Sequence, residues 1–374
     1  MNKLYYLVCV AVLIGLVPAY ALAATDPDSS LDDIEAHPPI IVLPQSPKDS
    51  LGFSPSQVKA AYNIPAKSGK GTIAIIDAYD DPTIEADLAV FDKKFGLSAC
   101  TIANGCFEKY KVDPSVKPNT GWAEEIALDV EWAHAIAPKA NILLVEAKTA
   151  SLTNLLNAVD YVHNRADVVA VSMSWGSGEF SSESSYDGRF TTNGGAIFFA
   201  SSGDSGHGVS WPAVSSNVIG VGGTTLQLTS NGTVASEVAW SGSGGGKSKH
   251  EPEPAFQTNY GVPNAGNKRA VPDVSYNADP ATGYAVYTAT APPGQVGWIV
   301  VGGTSAASPQ WAALHSISSG VSLAKLYKRG ASAQYNSYFR DIVSGSNGSC
   351  ALFCTAGPKY DYVTGLGSPL KHSF

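Results

Sequence analysis

The sequence predicts an α/β fold with a doubly wound, mostly parallel sheet flanked by helices, and three observations carry that prediction. Short apolar, β-branched runs alternate with stretches of helical spacing through the first half of the chain. Such alternation places parallel strands side by side and the helices over their faces. The chain has 374 residues, of which 44% are hydrophobic and 15% charged, so it can bury a sizeable single core. No internal repeat is visible, and one domain is expected over residues 51–374.

Taken in order, residues 1–23 give a lysine, an apolar run and Ala-Leu-Ala, the layout of a cleavable secretory signal. An uncleaved anchor helix is the alternative, but Pro18 interrupts the apolar stretch. No stable membrane anchor is expected once the signal is removed, and the mature chain is expected outside the cell. Residues 24–50 are polar and proline-rich and read as a short leader or linker without a core. The folded part begins near "FSPSQVKAAYNI", where Ser54 suits a helix N-cap and Pro55 the first helical turn.

Residues 71–79, 141–147, 167–175 and 195–203 read as strands. Between them, "TIEADLAVFDKKF", "WAEEIALDVEWAHAIA" and "LTNLLNAVDYVHNR" have helical spacing. From about residue 210 the chain is richer in glycine, proline and short strands, with residues 240–249 reading as a mobile loop. No nucleotide-binding glycine fingerprint follows the first strand.

Five cysteines are present; one lies in the signal, and the other four form two short-range pairs, 100 with 106 and 350 with 354. In an oxidising compartment both pairs close small loops, whereas their spacing does not suit a zinc site. A formal charge of −8 without a basic cluster speaks against nucleic acid as a partner.

"GGTSAASPQW" (302–311) sets Ser305 among small residues, a context suited to a nucleophile. None of the seven histidines sits in a recognisable catalytic turn, and Ala307 breaks the GxSxG pattern. "GDSG" at 203–206 makes Ser205 a rival nucleophile, but it follows a parallel strand. "HEPEP" at 250 lacks the second histidine of a zinc motif. Carboxylates offer another base. Glu125 and Asp129 are four apart on a predicted helix and share a face, while His134 falls half a turn out of phase. Taken alone, the pair also reads as solvated surface acids.

The ExxxD helix, "SMSWG" (172–176), "SSGDSG" (201–206), "SGGG" (243–246), "VPDVSYNADP" (271–280), "GGTSAASP" (302–309) and "YDYVTGLGSP" (360–369) occur in this order. Together they resemble the sedolisins, serine-carboxyl peptidases with a subtilisin-like fold, over about residues 52–370. The resemblance implies a single catalytic domain in which Ser305 is the nucleophile, Glu125 its general base and then acid, and Asp129 the residue that orients Glu125. Asp204 falls at the oxyanion-hole position, where it would donate as the neutral acid beside the Ser305 N–H. Asp77 and Trp175 would extend the proton network, with a core aromatic as the other reading of Trp175.

Asp341 and Asp361 match the family's calcium-binding segments. One structural Ca²⁺ would also take the carbonyls of Ile342, Gly357 and Lys359; an Asp-rich turn without metal is the alternative. Lys359 stands where glycine is common. The family's long folded propeptide has no counterpart in residues 24–50.

The expected function is thus a secreted, acid-acting serine-carboxyl peptidase, a monomer acting on proteins or peptides. A non-catalytic secreted binding protein on the same fold is the alternative. A carboxylate base with an ordinary pKa of about 4.3 works only on the acid side, so activity should be bell-shaped and largely gone at neutral pH.

Overall fold

The computed structural model describes residues 30–43, 52–66, 68–318 and 320–372. The signal expected over residues 1–23 lies outside them. Along the first half run β1 (Ile41–Leu43), α1 (Pro55–Ala61), β2 (Thr72–Ala78), α2 (Ile84–Phe95), β3 (Phe107–Lys111), α3 (Thr120–Ile136), β4 (Asn141–Ala147), α4 (Leu152–Val162) and β5 (Val168–Met173). They are followed by β6 (Ile197–Ser201), β7 (Val218–Leu228), β8 (Val234–Ala239), β9 (Gly246–Pro252), α5 (Ala255–Tyr260), β10 (Lys268–Val271) and β11 (Val274–Asn277). The last long elements are β12 (Tyr284–Thr288), β13 (Gly297–Gly302), α6 (Thr304–Ser318) and α7 (Leu323–Gly330).

The apolar runs become parallel strands because both of their faces are covered, which is why they read as continuous rather than alternating. The central sheet runs β11-β7-β6-β5-β2-β4-β3, with β8 antiparallel on β7. All neighbours along that path are parallel. Helices α3 and α6 pack on one face and α4 on the other, giving two buried clusters separated by the sheet.

From β2 the chain goes to the edge strand β3, returns to β4 between the two, and then crosses to β5 on the opposite side of β2. Strand order therefore reverses beside β2, and the crevice at the carboxyl ends of such strands is where open α/β sheets place their sites.

Three features differ from the sequence reading. Strand β3 was not anticipated: its alternating burial marks a half-exposed edge, and the loop before it is closed by the Cys100–Cys106 disulfide. The second disulfide, Cys350–Cys354, also forms. The glycine-rich stretch at 240–249 is not a mobile loop, because Ser243–Gly246 is buried. A Cβ on Gly244 would fall 2.0 Å from the Ser202 carbonyl oxygen, and one on Gly245 1.9 Å from that of Tyr362. Glycine is needed there for close backbone approach.

Residues 30–43, expected as part of a coreless leader, are instead laid on the domain. Ile34 and Ala36 are buried with α4 and Trp175, and β1 pairs antiparallel with β13. Among the described residues, no helix is long and apolar enough to cross a membrane.

Candidate active site

Strand β13 ends at Gly302, and after Gly303, with φ of +113°, the chain enters α6 at Thr304 and Ser305. The first N–H groups of a helix have no partner inside it, so they face outward as ready donors. The Ser305 N–H is one of these. It donates to the carbonyl oxygen of Pro39, 3.3 Å away.

Pro309 lies inside α6 and has no N–H to give to the carbonyl of Ser305. The hydroxyl of Ser174, just past β5, donates to that carbonyl at 3.2 Å. One turn on, the hydroxyls of Ser172 and Ser308 bond at 2.9 Å. Two serines spaced by two, Ser172 in β5 and Ser174 just past it, thus tie down the turn of α6 that carries Ser305. The motif "SMSWG" contains both, and they were given no role there, although the SxS pattern at a strand end was the available signal.

Helix α3 packs directly on α6. Its N-terminus is capped by the Asn119 side chain, which accepts from Gly121 N and Trp122 N. Glu125 and Asp129 lie on one face and are fully buried, so they are not solvated surface acids. Burial is the main cause that lifts the acidity constants of both well above the ordinary carboxyl range. Negative charge on Asp129 and Asp77 adds to the effect on Glu125, and the nearby Ser305 hydroxyl opposes it. Asp77, near the end of β2, is raised in the same way by its own burial and by Glu146.

The carboxylate oxygens of Asp77, Glu125 and Asp129, and the Ser305 hydroxyl, are buried and make no full hydrogen bond among the described residues. Loose contacts of this kind are common in catalytic sites before substrate is engaged. With several acids sharing one dry space, ionising the first makes the others harder to ionise.

Asp204 follows β6. Its Oδ1 accepts from Thr304 N at 2.7 Å and from the Thr304 hydroxyl at 2.9 Å, while Oδ2 is buried and unpartnered among the described residues. Burial pushes its pKa up to about 8, with the Thr304 donors pulling the other way. The carboxyl is therefore neutral in acid, and its proton sits on Oδ2. A Cβ added to Gly303 would fall 2.5 Å from this Oδ2 and 2.1 Å from the Pro39 oxygen, so the two face the same small space.

The other candidates fall elsewhere. The Trp175 indole is buried and donates to the carbonyl of Ile76, the residue before Asp77, at 2.9 Å. His134 faces α2, within 3.0 Å of the Ser98 carbonyl and 3.3 Å of Asp92. His315 is buried farther along α6, with its pKa lowered to about 4 by burial. Ser205 is exposed, next to Asp204.

Away from this cluster, the C-terminal turns bring Asp341 and Asp361 together around Tyr335. Asp341 Oδ1 accepts from Lys359 N at 2.8 Å and from the Tyr335 hydroxyl at 3.0 Å. Asp361 accepts from Val363 N and Thr364 N at 2.8 Å each. The carbonyls of Ile342, Gly357 and Lys359 accept none of the described hydrogen bonds. Lys359 adopts φ of +65°, the left-handed conformation glycine favours, so the turn keeps that shape despite the lysine. Two carboxylates and three unengaged carbonyls form an oxygen-only donor set of the kind hard cations prefer, and the residues fit calcium.

Residues 117–316, more than half of the chain, match the subtilase family. The chain is 34% identical over 363 residues to kumamolisin from Bacillus sp. (strain MN-32), covering 85% of this chain and 62% of that protein. It is 35% identical over 241 residues to sedolisin from Pseudomonas sp. (strain 101), covering 55% of this chain and 39% of the relative. The chain thus spans less than two thirds of the length of either. Among solved structures, Pseudomonas sedolisin, a serine-carboxyl proteinase complexed with two molecules of pseudo-iodotyrostatin, superposes with a TM-score of 0.74 at 28% identity. That match covers 85% of this chain and 95% of the other.

Proposed function

The chain belongs to the subtilase family and to its sedolisin branch, and from that premise we propose that it is a secreted, acid-acting serine-carboxyl peptidase. The observation that carries this reading is the meeting of a serine at a helix N-terminus with buried acids where a histidine base would otherwise stand.

In the proposed cycle Glu125 takes the proton of Ser305 as the hydroxyl attacks a peptide carbonyl. Glu125 then returns the proton to the leaving amine, and a water repeats both steps on the acyl-enzyme. Asp129 and Asp77 hold Glu125 in a shared protonation state. The backbone N–H of Ser305 and the neutral Asp204 carboxyl stabilise the charge that develops on the carbonyl oxygen.

Two conditions bound the activity. The acid cluster must have lost a proton, and Asp204 must still hold its own. Because burial raises Asp204 only to about 8, the second condition fails as pH climbs toward that value. Calcium, held by Asp341, Asp361 and the carbonyls of Ile342, Gly357 and Lys359, would tie the C-terminal turns together without entering the chemistry. Substrates would be proteins or peptides.

Measuring kcat/KM on a peptide library from strong acid to pH 9, on wild type and Ser305→Ala, tests the reading. A bell with its maximum on the acid side of neutral, lost in the variant, is expected. Activity greatest at pH 7–8 or above, or unaffected by Ser305→Ala, would overturn it.

A further inference from the structure

We propose that Glu146 is a positioning residue for the catalytic acids: as the neutral acid it donates from Oε2 to Asp77, so that the protons of the buried row all point inward and the negative charge comes to rest on Glu125. This rests on the proposed peptidase activity and adds to it a residue that lies outside the motifs shared with the sedolisins.

Strands β2 and β4 pair in parallel, with Asp77 opposite Glu146. Side chains alternate along a strand, and Ile73 and Ile75 of β2 share one buried cluster with Ile142 and Leu144 of β4 and with α3. Asp77 and Glu146 therefore project from the face that α3 covers with Glu125 and Asp129. Neighbouring strands lie roughly 4.8 Å apart, so the two carboxyls are direct neighbours. On β3, Lys111 stands opposite Glu146 and Lys109 one step back on the same face. A row of acids thus leads from the proposed base to lysines at the edge of the sheet.

The two oxygens of Glu146 are unlike. Oε1 accepts from Asp81 N at 3.0 Å and lies 3.1 Å from Lys109 Nζ. Oε2 is buried and has no partner among the described residues, and the same holds for both oxygens of Asp77. An oxygen already facing two donors is the poorer place for a hydrogen, so the proton of the neutral acid sits on Oε2. Lys109 is held from its other side by Asp80 Oδ1 at 2.6 Å and by the Asp81 carbonyl, and Lys111 by Asp80 Oδ2 at 2.8 Å. The cation keeps Oε1 engaged and leaves Oε2 to Asp77.

A carboxyl that receives one hydrogen bond and gives another passes polarisation along a chain. With Glu146 donating to Asp77, Asp77 donates toward Asp129 and Asp129 toward Glu125, which is left without a proton and accepts from the Ser305 hydroxyl. Burial holds Glu146 protonated up to about 7, with Lys109 and Asp81 N pulling the other way and Asp80 adding to the rise. Above that value Glu146 is an anion and Asp77 turns its proton outward to it. Glu125 then loses its support. The remaining acids act at one remove: the Asp81 carboxyl is turned to the Thr83 N–H and hydroxyl, and Asp87 and Glu131 face Asp81 rather than Glu146.

The test measures kcat and KM from strong acid to pH 9, on a peptide that the wild type cuts from the library, for wild type, Glu146→Leu and Glu146→Gln, with melting curves at each pH. Leucine fills the carboxyl's place without a donor and leaves Lys109 its bond to Asp80. Its kcat should fall about tenfold with KM little changed, and its acid limb should move up by about one pH unit, because Glu125 becomes harder to ionise. Glutamine donates to Asp77 through its amide while its carbonyl accepts from Asp81 and Lys109, so Glu146→Gln should restore kcat. The wild type should show a shallow, roughly tenfold step near pH 7, ahead of the steep loss as Asp204 ionises near 8, and Glu146→Gln should lack that step because an amide has no proton to lose. The second comparison stands even where the leucine variant is too unstable to assay. A residue that only filled space would change the melting temperature and leave the pH profile alone. If the wild type cuts with an acid-side optimum but Glu146→Leu keeps its profile, or Glu146→Gln retains the step or is as slow as Glu146→Leu, the inference is wrong and the peptidase reading stands. If the wild type cuts nothing in the library, both fail together.

Discussion

Thr304 decides which oxygen of Asp204 carries the proton. Its N–H and hydroxyl both donate to Oδ1, so that oxygen has no lone pair left to hold a hydrogen, and the hydroxyl in turn accepts from Gly203 N at 3.0 Å. Replacing Thr304 with valine removes the hydroxyl and keeps the shape. Losing one such bond costs about 0.5–1.5 kcal/mol, so kcat should fall by roughly two- to tenfold with KM little changed, and Thr304→Ser should restore it. An equal rise in KM would mean that the residue merely shapes the pocket. Asp204 itself makes a sharper case. Its replacement by alanine should cost about 10²–10³ in kcat, the usual worth of an oxyanion donor. Asp204→Asn donates through an amide that needs no proton, so its activity should persist past the pH near 8 at which the wild type loses its donor. An unchanged alkaline limb in Asp204→Asn would remove Asp204 from the oxyanion hole. In the sequence, residue context and spacing marked Ser305 and the two helix acids only as candidates, and the resemblance to the sedolisins gave them their roles. Thr304 was hidden by its place between a glycine and the nucleophile, where nothing in the residue pattern marks a hydrogen bond to a residue one hundred positions away.

At the scale of elements, the site depends on how α6 is held against β5. A helix with a proline in its second turn leaves a carbonyl without its usual donor, and Ser174 supplies one to the residue whose side chain attacks. Ser174→Ala should therefore lower the melting temperature by a few degrees, from the roughly 1–3 kcal/mol of an unsatisfied buried carbonyl, and also slow turnover because Ser305 is less firmly placed. A loss of activity with melting unchanged would mean that Ser174 touches the reaction directly. The C-terminal turns form a second such element. Chelation should lower the melting temperature of wild type by mass action, and Asp361→Ala should abolish that difference. A protein purified without bound calcium, melting alike with and without chelator, would leave these residues as a turn without metal. The parallel core was legible because strands buried on both faces must be apolar throughout. Strand β3 was not, since its alternating FEKYK carries three charged residues to two aromatic ones. The docking of residues 34–43 was not legible either, because it is made by backbone groups that every sequence possesses.

Over the whole molecule the buried acids give the fold a pH dependence of definite sign. Burial raises Asp77, Glu125, Asp129 and Glu131 well above their ordinary values, lifts Glu124 and Glu146 to about 7, and lifts Asp204 and Glu251 to about 8. In the unfolded chain these groups titrate near 4, so between about pH 4 and pH 8 the native state holds protons that the unfolded state has lost. Stability is then complete below the unfolded values and declines as pH rises through the folded ones. Asp167, lowered to about 2, acts in the opposite sense. It lies at the surface, where screening weakens it, and matters only below about pH 4. The melting temperature should thus be highest near pH 4 and fall steadily toward pH 8. Asp204→Asn isolates one member of the set. Removing a single group that binds one extra proton in the native state should make the slope of unfolding free energy shallower by up to about 1.4 kcal/mol per pH unit across this range. Denaturant titrations of both proteins at pH 4, 6 and 8 read that slope directly. The same substitution is expected to extend activity upward in pH, so one residue links the proton that sets the alkaline limit of catalysis to a proton that stabilises the fold. A wild type whose stability rises from pH 4 to pH 8 would show that these acids are ionised in the native state. The neutral Asp204 donor would then be lost with them.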